Sequence, residues 1–259
     1  MEQYGSFAYI YDELMDDVDY DRWVEHIEEI ISAQKAEVKN ILELACGTGN
    51  ITIPLAKKEY DIAGIDISEE MLDVAFNKSE EMQIPLVLLE QDIVNLDFDL
   101  YDLDCILCAC DGFNYITSLE DLKKVFAKSY ELLKKNGILL FDISSHYKIS
   151  KILGNNFMGE TREELAYMWS NYYDDSTQLI DMDLDFFVKI DVEDDEEDNE
   201  EDNVYERYKE KHQQRAHKVE EIKDLLEESG FKDIKIYGDF TMEAPKEDSE
   251  RIFFSAMKR

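Results

Sequence analysis

The chain has 259 residues, 44% of them hydrophobic and 12% aromatic, enough to bury a sizeable core without staples. Its 27 Lys and Arg stand against 62 Asp and Glu, a formal charge of −35 that excludes gripping bare nucleic acid by bulk charge and disfavours an anionic membrane surface. The first residues, Met1 to Ser6, lack a basic stretch followed by an apolar one, and no apolar run is long enough to span a bilayer. Of the four cysteines, Cys105, Cys108 and Cys110 fall within six residues, and with Cys46 they read as reduced thiols of a cytoplasmic protein.

Apolar residues at helical spacing predict an N-terminal helical segment over residues 4–34. Strand and helix then alternate: a strand over Ile41 to Ala45, a glycine-rich turn, a helix over 50–58, a strand over Asp61 to Asp66, and a helix from Ser68 to Glu81 with an N-cap signal. A strand over Pro85 to Glu90 follows, then a strand over Leu103 to Ala109, a helix over Leu119 to Lys134, the turn Lys135-Asn136-Gly137, and a strand to Ile143. Such alternation predicts a parallel sheet covered on both faces.

Between about 147 and 211 the rhythm changes, and Ile180, Met182, Leu184, Phe186, Val188 and Ile190 alternate with polar residues as in a half-buried antiparallel strand. A second such strand begins near Val204. Between them, residues 191–203 hold ten acids in thirteen positions and no base, which predicts a disordered hairpin tip rather than a calcium loop. A helix over Val219 to Ser229, stopped by Gly230, a strand around Ile234 to Tyr237 and a terminal strand Arg251 to Met257 complete the chain. The last two strands have no helix between them, so one is expected to run antiparallel.

The chemistry concentrates at strand ends. Glu43-Leu44-Ala45-Cys46-Gly47-Thr48-Gly49 closes the first strand, where glycines let a ligand lie against the backbone or simply make a tight turn. Asp66 ends the second strand, placed to accept both hydroxyls of a ribose or to cap the helix after it. Gln91-Asp92-Ile93 follows the third strand, where an adenine edge would lie. Cys105 and Cys108 fall on opposite faces of a strand and no further ligand pair completes a site, so no metal is expected.

Together these residues resemble the class I S-adenosylmethionine-dependent methyltransferases. Glu43 to Gly49 is similar to their first motif, with Ala45 in place of its first glycine; Gly64 to Ser68 with Met71-Leu72 resembles the second, Gln91 to Ile93 the adenine-side motif, and Leu132 to Phe141 the run into the fifth strand. The resemblance covers about residues 35–145 and 215–259. It implies a Rossmann-like α/β fold: a seven-stranded sheet with its last strand antiparallel and helices on both faces. An N-terminal helical cover (1–34) and a small antiparallel lid (147–211) are inserted around the binding domain (35–146 and 212–259). It implies S-adenosyl-L-methionine as cofactor, with Asp66 on the ribose, Asp92 and Ile93 on the adenine, and Glu43, Ala45, Gly47 and Gly49 at the methionine end. Ile67, Met71 and Cys110 complete the implied set. The pattern from Tyr4 to Asp12 resembles a bacterial branch whose first helix closes over the cofactor, so Tyr11 is either a lid residue or core packing.

Candidate catalytic groups are His146, Asp111 and His212; candidate acceptor-binding groups are Asn114, Tyr115, Trp169 and Arg215, with Trp169 and Tyr172 either walling a pocket or anchoring the insertion. The expected activity is methyl transfer to a small molecule. A nicotinamide-dependent oxidoreductase shares the glycine turn and ribose acid, but its third glycine is Thr52 here; a non-catalytic cofactor-binding scaffold is the other alternative.

Overall fold

The computed structural model describes residues 7–97, 102–190 and 204–259. Tyr4 and the acidic stretch 191–203 lie outside the described residues.

Seven strands form one sheet in the order β10 (Lys232–Gly238), β11 (Arg251–Met257), β5 (Leu133–Ser144), β4 (Leu103–Cys108), β1 (Asn40–Leu44), β2 (Asp61–Asp66) and β3 (Val87–Glu90). All neighbours are parallel except β11, which is antiparallel to both β5 and β10. The sheet order reverses beside β1, so the carboxyl ends of β1, β2 and β4 open a crevice.

Alternate residues of the central strands feed two cores, as the period of a strand requires. Ile41, Cys105, Leu107, Ile138, Leu140 and Phe253 face α2 (Tyr20–Ala33) and α3 (Thr52–Lys57). Leu42, Leu44, Ile106, Cys108, Leu139, Phe141 and Phe254 face α5 (Leu119–Leu132) and α6 (Val219–Glu228). Cys105 and Cys108 thus sit on opposite faces, buried and free. Helix starts follow local chemistry. Ser68 accepts the Met71 N–H at 3.2 Å to begin α4 (Glu69–Glu81), and Ser118 accepts the Asp121 N–H at 3.3 Å to begin α5.

The strand continues where a turn was expected at 135–137. Leu133 pairs with Leu103, Asn136 takes a left-handed φ of 65°, and the register shifts before Cys105 meets Ile138. This irregularity absorbs the extra residues without ending β5. The insertion also holds four strands rather than the two expected, in the order β6 (Phe157–Thr161), β7 (Leu165–Asp174), β8 (Leu179–Ile190) and β9 (Val204–Arg215). Polar and aromatic residues interrupt the apolar alternation of β6 and β7, which hid them. β9 runs past residue 211 to Arg215.

Candidate active site

Left-handed backbone builds the turn after β1: φ is 54° at Ala45, 54° at Gly47 and 77° at Gly49. Gly49 is crowded, since an added Cβ would lie 3.2 Å from the Ala75 Cβ, whereas one at Gly47 would meet nothing within 4 Å. Open space therefore lies over Gly47. Asp66, at the end of β2, accepts the Gly47 N–H at 2.8 Å on Oδ2 and the Ser68 N–H at 3.0 Å on Oδ1. The same carboxylate therefore holds the N-cap residue of α4, Ser68, and fixes the glycine turn, and each oxygen keeps a further lone pair. Burial pushes its carboxyl up, against those backbone bonds. Glu43 is buried and takes the Thr52 hydroxyl at 2.5 Å; burial pushes it up to about 8. Asp92 caps the short turn Ile93–Asn95 by accepting the Val94 N–H at 2.9 Å, and Ile93 packs on the core. Ile67 is exposed beside Asp66.

The wall opposite is the turn after β4. Cys110 and Asp111 are both left-handed, with φ of 54° and 56°. Their N–H groups donate to the Asp142 carboxylate at 2.8 and 3.1 Å. Arg251 bridges Asp111 Oδ1 and Asp142 Oδ2 at 2.5 and 2.6 Å, and Trp23 Nε1 donates to Asp142 at 3.2 Å. Asp111 is thus an ion-paired carboxylate. The sequence reading missed Asp142 and Arg251. Each is a charged residue beside an apolar stretch of strand, a signal that becomes specific only once pairing sets β11 beside β5.

The N-terminal cover lies across this crevice. α1 (Ala8–Leu14) is pinned by Asp12, whose carboxylate accepts the Thr48 hydroxyl at 2.6 Å, the Asn50 amide at 2.8 Å and the Lys78 ammonium at 2.6 Å. Burial alone would push Asp12 up, but these three donors hold it below the usual carboxylate range. Tyr11 is half-buried, with Tyr20, Cys110, Tyr115 and Asp111 as its electrostatic neighbours, and burial pushes its phenol well up. Met71 joins Phe7, Ala8 and the lid in a third apolar cluster.

Register sets the lid's inner face. Tyr173, Ile180 and Gln214 form one row across β7, β8 and β9; Asn171, Met182 and His212 form the next, and Trp169, Leu184 and Glu210 the third. The β8 column is apolar and packs on α1, while the β9 column is polar. Gln214 donates to Asp111 Oδ2 at 3.2 Å, and the His212 ring lies 5.9 Å from that of Tyr115 and 6.0 Å from that of Phe7. Burial pushes His212 down to about 4, so its imidazole is neutral near pH 7. Tyr11, Asp111, Tyr115, His212 and Gln214 come together.

Other candidates have different surroundings. The His146 ring meets Gln178 Oε1 at 2.7 Å and the Tyr173 hydroxyl at 3.4 Å, at the base of the lid. The Asn114 amide is fully buried and committed: it donates to the carbonyls of Ser144 and Arg215 at 3.1 and 2.9 Å and accepts the Ser144 N–H at 3.0 Å. Arg215 donates to the Thr177 carbonyl and pairs with Glu221. Trp169 lies on the inner face, but Tyr172 lies three positions on, on the outer face, and is 65% exposed, so it walls no pocket.

A family model described as a methyltransferase domain matches residues 41–137. A Geobacillus sp. (strain WCH70) protein that carries a methyltransferase name is 36% identical over 256 residues, spanning 98% of this chain and 99% of its own. The glycine/sarcosine N-methyltransferase of Aphanothece halophytica is 27% identical over 223 residues, 85% of this chain and 76% of its own. Among solved structures, an S-adenosylmethionine-dependent methyltransferase from Clostridium acetobutylicum ATCC 824 aligns with a TM-score of 0.84, at 36% identity over 98% of both chains.

Proposed function

The chain belongs to the class I S-adenosylmethionine-dependent methyltransferases, and on that premise we propose that it methylates a small-molecule acceptor enclosed between the lid and the crevice. Membership removes the nicotinamide-dependent alternative. The residues fit the cofactor: open space over Gly47 admits a ligand against the backbone, and Asp66 retains acceptor capacity for the ribose hydroxyls. Asp92 and Ile93 are assigned to the adenine edge, and Glu43, Ala45 and Gly49 shape the methionine end.

When bound, S-adenosylmethionine supplies a methyl group already activated on a sulfonium. What remains for the chain is to orient the acceptor in line, exclude water, and take up a proton where the acceptor carries one. Tyr11 and Phe7 close the space from the cover. Tyr115, Gln214 and the neutral His212 offer hydrogen-bonding groups around the acceptor, and His212 is the base candidate with the better placement, since His146 lies at the lid's base. Asn114 and Arg215 position the end of β9.

The polar inner column of β9, set against Asp111 and Tyr115, carries the small-molecule reading, because a lid with a polar inward stripe walls a chamber rather than presenting a flat docking face. The relative that acts on glycine and sarcosine adds support. Four free cysteines favour a reducing, cytoplasmic setting. The test separates a cell extract by size and follows methyl label from S-adenosylmethionine. Label that depends on the added protein and appears on a small molecule other than S-adenosylmethionine is expected; protein-dependent label confined to protein or RNA overturns the proposal.

A further inference from the structure

We propose that Arg251, on the C-terminal strand, is a positioning residue for the cofactor crevice: by way of Asp142 it holds the left-handed turn Cys110–Asp111 against the glycine turn. Two successive non-glycine residues with φ of 54° and 56° do not persist unless their surroundings hold them. Here both N–H groups donate to one carboxylate, that of Asp142, at 2.8 and 3.1 Å. The next residue, Gly112, brings the turn against the crevice floor. A Cβ added there would lie 3.0 Å from the Ala45 Cβ and 2.8 Å from the Cys108 Sγ. Any shift of the turn is therefore felt at Ala45, inside the first motif.

Asp142 holds the turn best when ionised, since a protonated carboxyl gives up acceptor capacity. Its side chain is only 1% exposed, and burial pushes its carboxyl up. The guanidinium of Arg251, at 2.6 Å, opposes that push. Arg251 is itself fixed by Asp111 at 2.5 Å, by its register opposite Ser144, and by the Trp23 ring, whose centroid lies 5.1 Å away. The other ionisable groups around Asp142 are Asp111 and Lys148, the thiols of Cys108 and Cys110, and His26. Of the cations among them, Arg251 alone ion-pairs with Asp142 among the described residues. Both contacts come from one guanidinium nitrogen, Nη1, so a lysine ammonium brought to the same point would replace them in part.

The inference rests on the crevice being the S-adenosylmethionine site. Its test is calorimetric titration of the full chain with S-adenosylhomocysteine between pH 6 and 8, for wild type, Arg251→Met and Arg251→Lys. A core variant on α6, Ile222→Ala, serves as a stability control away from the turn. Arg251→Met is expected to bind at least tenfold more weakly, with the deficit relative to wild type growing as pH falls and Asp142 takes up a proton. Arg251→Lys is expected to recover part of the affinity and to reduce that pH dependence. If Arg251→Met does not fold, Arg251→Lys carries the test, with a smaller deficit that still grows toward pH 6. Binding by the folded Arg251 variants within twofold of wild type at every pH, or an equal loss in Ile222→Ala, overturns the proposal while leaving the methyltransferase reading intact. Absence of binding by the wild type overturns both.

Discussion

The Lys78 ammonium on α4 donates at 2.6 Å to the Asp12 carboxylate on α1, joining the N-terminal cover to the helix that Asp66 helps to begin. Asp12 also receives Thr48 and Asn50, so one side chain ties cover, glycine turn and α4 together. Asp12→Ala is expected to weaken S-adenosylhomocysteine binding by roughly three- to tenfold, the usual effect of losing charge-assisted hydrogen bonds at a partly exposed site. Calorimetry checks it. Because the folded-state pKa of Asp12 is lowered from 3.8, its contribution to stability is present above that value and is lost as pH falls further, through the lowered folded pKa.

Gly47 and Gly64 are expected to respond oppositely to alanine. At Gly47 a methyl group meets open space, so Gly47→Ala costs only the left-handed strain, about 1–2 kcal/mol, yet intrudes where the cofactor is assigned. At Gly64 the added Cβ lies 2.7 Å from the Cys46 Sγ, an overpacking that costs about 1–3 kcal/mol. Denaturant titration should therefore rank Gly64→Ala as the less stable variant. Calorimetry should give Gly47→Ala the larger affinity loss, and the reverse order refutes the placement.

Asp66→Ala removes the acceptor for two backbone N–H groups along with the one assigned to the ribose. Its affinity for S-adenosylhomocysteine should fall by roughly 10- to 100-fold, in line with hydrogen bonds to a charged partner. A charge-removing change in the acidic run 191–203 should leave that affinity within about twofold, the outcome expected if the run is a solvated loop, as its composition suggests. Equal affinities would reduce Asp66 to a helix cap.

His217 is fully buried beside the end of β9, with Nε2 at 3.2 and 3.1 Å from the carbonyls of Phe113 and Ile116. Both partners are acceptors, so Nε2 carries the proton and donates. Burial pushes its pKa down from 6.5 to about 4, and His212 is pushed down to the same value. Between those pH values the unfolded chain binds more protons than the folded one, so stability falls as pH drops from 6.5 toward 4. The loss is on the order of 3 kcal/mol per histidine at most. Urea titrations at pH 7 and 4.5 should show it, and His217→Gln should flatten the slope even where it lowers stability overall.

Local periodicity and turn chemistry made much of the fold legible. β2 and β11 run from Asp61 to Asp66 and from Arg251 to Met257, the ranges expected, because each is a short, mostly apolar run with charged sequence on either side. Ser68 begins α4 as its capping chemistry requires. In the lid, β6 and β7 were illegible because Met168, Ser170 and Tyr172 on the outer face mix with Tyr167, Trp169 and Asn171 on the inner one, erasing the two-residue rhythm.

By itself the sequence determined the order of strands and helices in the seven-stranded sheet, the glycine turn with its acid at the end of β2, and through them the cofactor class, since those features depend on neighbours within a few tens of residues. Only the tertiary structure decided what completes the crevice. Asp12 meets Lys78, and Arg251 meets Asp111 and Asp142, across separations of 66 to 140 residues. It also separated Asn114, spent on holding two strands, from Tyr115, which faces His212. The reason is physical: a charged or amide side chain takes its role from the partner it is buried against, and sheet order and register choose that partner.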